Sequence, residues 1–172
     1  MRNVNLPDPE QDIRAAYLEL IAEIDRAASQ LAGGRLAGRI TCRPGCSSCC
    51  MAFSVLPLEA ALLQRGLPVE PAAGPPRGDE CALLGHGLCS VYSLRPVICR
   101  TQGLPLAYVD ETLAQIDVSA CPLNFPEDAD FDLDDLFFMD AFNERLAALN
   151  LLYCSRHDLD ATVRIAIADL VR

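Results

Sequence analysis

Nine cysteines stand in this 172-residue chain, and four of them fall in one short run, Cys42-Arg-Pro-Gly-Cys46-Ser-Ser-Cys49-Cys50. Thiolates are soft ligands that suit zinc, copper(I) and iron-sulfur clusters, and a local loop grips an ion only when successive donors return after two to four residues. Cys42, Cys46 and Cys49 meet that requirement. Pro44-Gly45 between them favours a tight turn, and Gly45 lets the backbone pass close to sulfur. Cys50 needs a separate account, because adjacent residues of an extended backbone point to opposite sides. The run therefore implies two centres, or one larger multinuclear site. Cys81, Cys89, Cys99 and Cys121 supply the remaining sulfurs, so the expected metal ligands are Cys42, Cys46, Cys49, Cys50, Cys81, Cys89, Cys99 and Cys121. No nucleophile, base and orienting group can be assembled from the sequence, and no catalytic set is named.

The chain is long enough to bury a core without staples, so cysteine is not compensating for a missing one. Its first residues are acidic rather than basic and apolar, and no stretch approaches the roughly 18 apolar residues of a membrane span. The expectation is a soluble cytoplasmic protein with no membrane partner. In that compartment thiols stay reduced, which favours metal chemistry over a disulfide framework. A formal net charge of −10 repels phosphate backbones, so nucleic acid is not an expected partner. All 14 basic residues are Arg, which excludes lysine Schiff bases, pyridoxal phosphate attachment and the phosphate-loop lysine.

The elements that must position these thiols are read from periodicity. Residues 9–31 carry Ile13, Tyr17, Leu20, Ile24 and Leu31 at helical spacing, stopped by Gly33-Gly34. A short helix is predicted from Pro57 to Gln64, with Gly66 beyond its end. Residues 67–79 hold four prolines and two glycines and suit an irregular connection. A hairpin is predicted around Gly85-His86-Gly87, bringing Cys81 and Cys89 together, and a second joins 104–109 to 112–118. Cys99 follows on a short helical turn, and Cys121 closes the second hairpin. From Asp132, as cap, a helix is expected with Leu136, Met139, Phe142, Leu146, Leu149 and Tyr153 on one face, and a last helix over 161–171 packs through Val163, Ile167 and Leu170. The expected fold is α+β and mainly helical, with short β-hairpins and a metal-organised cysteine-rich region. It forms a single domain, 1–172, in which a module over 42–122 is flanked by helices 9–31 and 132–171.

These residues resemble the YkgJ-like cysteine-cluster family, whose pattern is CxxCxxCC and which is described as a zinc- or iron-chelating domain. The resemblance rests on Cys42, Cys46, Cys49 and Cys50, the pair Cys81 and Cys89, the block Cys89-Ser-Val-Tyr92-Ser-Leu-Arg95-Pro96-Val-Ile-Cys99-Arg100, and Cys121-Pro122. It covers about residues 42 to 122, and three residues separate Cys42 from Cys46 where the family has two. The same region is similar to part of the flagellin lysine methylases, which implies an iron-sulfur alternative. Zinc, possibly two ions, is the expected cofactor, with iron or an iron-sulfur cluster serving methyl or electron transfer as one alternative and metal storage or delivery as another.

Two zinc ions bring four positive charges to eight thiolates, and N–H donors must stabilise the excess. Arg95 and Arg100, flanking Cys99, are expected to be those donors, with Tyr92 a packed aromatic beside them. The run Asp128-Ala-Asp130-Phe-Asp132 imitates a calcium loop, but Leu133 and Met139 occupy the positions that need Gly and Glu. His86 is read as an exposed turn residue, and Cys154 as helix packing. Cys46-Ser-Ser-Cys49 has dithiol spacing without the strand and helix context of thioredoxin. The radical-enzyme spacing of Cys42, Cys46 and Cys49 comes in a chain too short for their barrel.

Overall fold

A computed structural model describes residues 5–67 and 78–171. Most of the connection predicted over 67–79 lies outside these residues. In chain order the elements are α1 (Gln11–Gly33), β1 (Ser54–Val55), α2 (Pro57–Gln64), β2 (Leu84–Gly85), β3 (Leu88–Cys89), α3 (Val97–Arg100), β4 (Leu106–Asp110), β5 (Gln115–Ser119), β6 (Phe137–Phe138), α4 (Asp140–Arg156), β7 (Ile165–Ala166) and α5 (Ile167–Leu170). The fold is α+β, as expected, but it is not mainly helical. Less than half of the described residues are helical, and only α1 and α4 exceed eight residues.

α1 forms because Ile13, Tyr17, Leu20, Ile21 and Ile24 recur on one stripe, and all five are buried. That stripe packs on α4, and two exposed ion pairs fix the register: Arg156 with Asp12 at 2.8 and 2.9 Å, and Arg145 with Glu23. α2 starts with Pro57 in its first turn, where the missing N–H costs nothing, and lies against the same helix. Asn150 of α4 joins the two, accepting the Leu58 N–H at 3.1 Å and donating to the Ala161 carbonyl at 3.1 Å. The larger core gathers Leu20, Ile24, Leu58, Phe137, Leu146 and Tyr153, and a second cluster gathers Val55, Leu63, Leu83, Val91, Ile167 and Leu170. Each such burial contributes about 1.5–3 kcal/mol.

The second predicted hairpin is present. β4 and β5 pair antiparallel from Leu106↔Ser119 to Asp110↔Gln115, and the Asp110 carboxylate closes the turn by accepting the Thr112 and Leu113 amides. The first is present but shorter, β2 against β3, with His86 and Gly87 both at positive φ as a two-residue turn requires.

Two helical predictions are corrected. The helix expected from Asp132 begins eight residues later, at Asp140. Asp132 and Asp135 are drawn instead to Arg35 at 3.0 and 2.9 Å, which holds residues 133–135 as a 3-10 turn. Phe137-Phe138 then adds to β4 as a parallel strand, so Leu136 and Met139 lie outside the helix. The helix expected over 161–171 is only Ile167–Leu170. Asp160 accepts the Thr162 N–H and hydroxyl in a tight turn, and Ile165-Ala166 pairs with Ser54-Val55 as an antiparallel strand. Val163 is consequently exposed rather than packed.

Candidate metal centre

All nine cysteines are free thiols. The first run folds as two consecutive turns: Cys46 N–H donates to the Arg43 carbonyl at 2.9 Å across Pro44-Gly45, with Gly45 at φ +89°, and Cys50 N–H donates to the Ser47 carbonyl at 2.9 Å.

One side of the loop faces Cys121. The Asn124 side chain ties this region together. Its oxygen accepts the Thr41 N–H and hydroxyl at 3.0 and 2.7 Å, while its Nδ2 donates to the Gly103 carbonyl at 2.8 Å and to Cys42 Sγ at 3.5 Å. Asn124 also closes the turn that starts at Cys121, through its backbone N–H to the Cys121 carbonyl. Gly103, at φ +98°, passes so near that a Cβ there would stand 2.7 Å from Cys42 Sγ. Burial pushes the Cys49 thiol up, and the neighbouring thiols of Cys42, Cys121 and Cys46 push it further.

The other side faces the β2–β3 hairpin. Cys81 N–H donates to the Cys50 carbonyl at 3.0 Å, beside the bridge Met51↔Glu80, and Leu84 N–H donates to the Cys81 carbonyl while Leu84 pairs with Cys89. Burial raises Cys50 to about 11, with Cys49, Cys81 and Cys89 adding to it. Burial likewise raises Cys99 to about 12, with Cys81, Cys89 and Cys50 as its thiol neighbours.

Cys49 thus neighbours Cys42, Cys46 and Cys121, and Cys50 neighbours Cys81, Cys89 and Cys99, with Cys49 and Cys50 themselves in contact and joining the two groups. Among the described residues, no group of three or more His, Cys, Asp or Glu side chains stands in a geometry that would hold a metal ion. The sulfurs are grouped but not converged on common points. Cys154 stands apart, buried in α4 and donating to Asn150 Oδ1 at 3.7 Å, as helix packing requires.

The arginines expected at the sulfurs are engaged elsewhere. Arg100, with a side chain only 9% exposed, pairs with Asp25 at 2.7 Å and donates to the carbonyls of Arg95 and Ser93 at 2.6 and 2.7 Å. It fixes the turn before Cys99 rather than Cys99 itself. Arg95 donates to the Tyr92 carbonyl and lies 3.7 Å over the Tyr92 ring, and Tyr92 is exposed rather than packed. His86 is exposed in its turn, as expected. No protein-family model, curated protein or solved structure matches the chain.

Two positioning residues carry no motif in the sequence. Asn124 is one. Glu59, 3% exposed, is the other: its Oε1 accepts the Val97 N–H at 2.9 Å and the Tyr17 hydroxyl at 3.4 Å, and the Leu56 N–H also bonds to its carboxylate. Glu59 thereby links α1 and α2 to the first residue of α3, the helix that holds Cys99. Its only sequence signal is a glutamate three residues after Leu56, the capping-box position of α2.

Thiols are soft donors of the kind thiophilic ions take, Asn124 offers an N–H to Cys42, and Gly103 leaves space beside Cys42 that a side chain would fill. Among the described residues, no helix is long and apolar enough to cross a membrane.

Proposed function

We propose that this chain is a cytoplasmic metal-binding protein that holds two zinc ions, one through Cys42, Cys46, Cys49 and Cys121 and the other through Cys50, Cys81, Cys89 and Cys99. The observation that carries this reading is that Cys49 has Cys42, Cys46 and Cys121 as thiol neighbours while Cys50 has Cys81, Cys89 and Cys99, the two groups dividing at the contact between Cys49 and Cys50. Scattered core cysteines have no reason to divide in this way, and Cys154 illustrates what an unassociated one looks like. The resemblance to the YkgJ-like cysteine-cluster family supports the same chemistry.

A bound zinc would act structurally, as a closed four-thiolate site leaves no position open for substrate. The first set would draw the loop over 41–50 onto the segment after β5, and the second would draw the same loop onto the β2–β3 hairpin and α3. The Asn124 amide would offset part of the thiolate charge at Cys42. Such sites contribute on the order of 10 kcal/mol per ion to folding.

Metal content of protein purified with and without air tests the reading. Two equivalents of zinc and a colourless solution are expected from both preparations. A brown anaerobic protein containing iron would favour the iron-sulfur alternative, and absence of both metals would refute the proposal.

A further inference from the structure

An open cleft of about 700 Å³ lies beside the first thiol set, bounded by the β4–β5 hairpin, α3 with the turn after it, α4, and the loop over 48–51 with the start of α2. Its volume is that of a small-molecule site, for which roughly 300–1,000 Å³ is usual. The walls are mainly apolar, with Val97, Leu104, Leu106, Met139 and Leu146 all buried side chains. Small residues bound it elsewhere, among them Gly103, Ala120 and Ala147. An apolar space of this size left empty forfeits dispersion contacts along its lining, a loss that an apolar occupant offsets.

Charge narrows the occupant. The wall carries two charged side chains, Glu59 and Arg164, and both are already used by the protein. Glu59 accepts the Val97 N–H and the Tyr17 hydroxyl, and Arg164 donates to the Ser54 hydroxyl and carbonyl at 3.3 and 2.8 Å. Arg164 also lies near enough to the Glu59 carboxyl to lower it, so the two charges on the wall offset each other, and an ionic ligand would enter a mainly apolar cleft at a large desolvation cost. Ser119 and Asn143, whose side chains make no hydrogen bond among the described residues, can meet a single polar group.

We infer that this cleft is a binding site for an uncharged, mainly apolar small molecule, seated between β4, β5 and α4 with one end against Cys49 and Cys121. The end of the cleft against Cys49 and Cys121 adjoins the proposed first zinc site, and zinc content read beside ligand binding separates failure of that site from failure of the cleft.

The test is a fluorescence titration of the full chain with the neutral probe N-phenyl-1-naphthylamine, with zinc content measured on every sample. Saturable binding to one site is expected. Ala147→Trp and Ser119→Trp, which plug the cleft from opposite walls at exposed positions, should each weaken it at least tenfold with zinc content unchanged. Ala148→Trp, on the same helix but outside the cleft, should leave it unchanged. The sulfonated analogue 8-anilinonaphthalene-1-sulfonate should bind at least tenfold more weakly than the neutral probe. Absence of saturable binding, equal binding by both plugged variants, or a preference for the sulfonate would each overturn the inference. Two plugs on different elements keep the test decisive if one variant fails to fold.

Discussion

Replacing Glu59 by alanine should separate the scaffold of α3 from the rest of the fold. The carboxylate is 3% exposed and receives the Val97 and Leu56 amides and, more weakly, the Tyr17 hydroxyl. At about 1 kcal/mol per hydrogen bond, with buried donors left unsatisfied, Glu59→Ala should cost about 3 kcal/mol. For a chain of this length that lowers Tm by roughly 6–12 °C. Glu59→Gln keeps the Oε1 acceptor and should cost only about 1 kcal/mol. Desolvation raises the Glu59 carboxyl above its ordinary value of 4.5, against the Val97 and Leu56 amides, which pull it down. The folded state therefore holds this proton more tightly than the unfolded state. The stabilisation is complete below pH 4.5 and is lost as pH rises through the raised folded value, where the carboxyl must ionise in place. The glutamine variant lacks that loss, so its stability should fall less than wild type across that window. Urea denaturation at a series of pH values, with calorimetry at neutral pH, measures both effects. A Glu59→Ala variant within 1 kcal/mol of wild type, or parallel pH curves for wild type and Glu59→Gln, would refute the assigned role.

Gly103→Ala must place a Cβ 2.7 Å from Cys42 Sγ at φ +98°, and is expected to lose about 1–3 kcal/mol and one of two zinc equivalents, read by denaturation and metal analysis. Arg100→Ala should lose about 2 kcal/mol, since it strands two carbonyls and Asp25, whereas Arg95→Ala, a half-buried cation over an exposed ring, should lose under about 1 kcal/mol; paired denaturation curves decide. Asn150→Leu leaves the buried Leu58 N–H and the Ala161 carbonyl without partners, and about 3 kcal/mol should disappear from the unfolding free energy measured in urea.

Local signals located α1, α2 and both hairpins, because each is settled by residues near in sequence: a stripe of Ile and Leu, a proline in a first turn, an Asp110 that closes its own turn. The errors fell where distant partners decide. Phe137-Phe138 continues an apolar helical period on paper, yet β4 offers it a ladder through Pro105 and Ala107. Ile165-Ala166 reads as helix until Ser54-Val55 is there to pair with it. The thiols behaved similarly. Backbone alternation gives Cys49 and Cys50 different further neighbours, but which thiols those are depends on contacts spanning tens of residues, such as Asn124 with Cys42. Proximity in sequence to Cys99 does not fix which way a guanidinium turns, and Asp25 and the local carbonyls hold Arg100.

The pairing of β1 with β7 has a consequence for how the chain is made. Ser54 and Arg164 lie 110 positions apart, so the strand that seats the loop after Cys50 leaves the ribosome long after the loop itself. At roughly 5–20 residues per second that interval is about 5–20 s, during which the nascent thiol loop has no finishing strand to dock against. Arrested translation products that stop short of residue 165 should accordingly leave Cys49 and Cys50 more open to alkylating reagents than the released protein, in which both are half-buried.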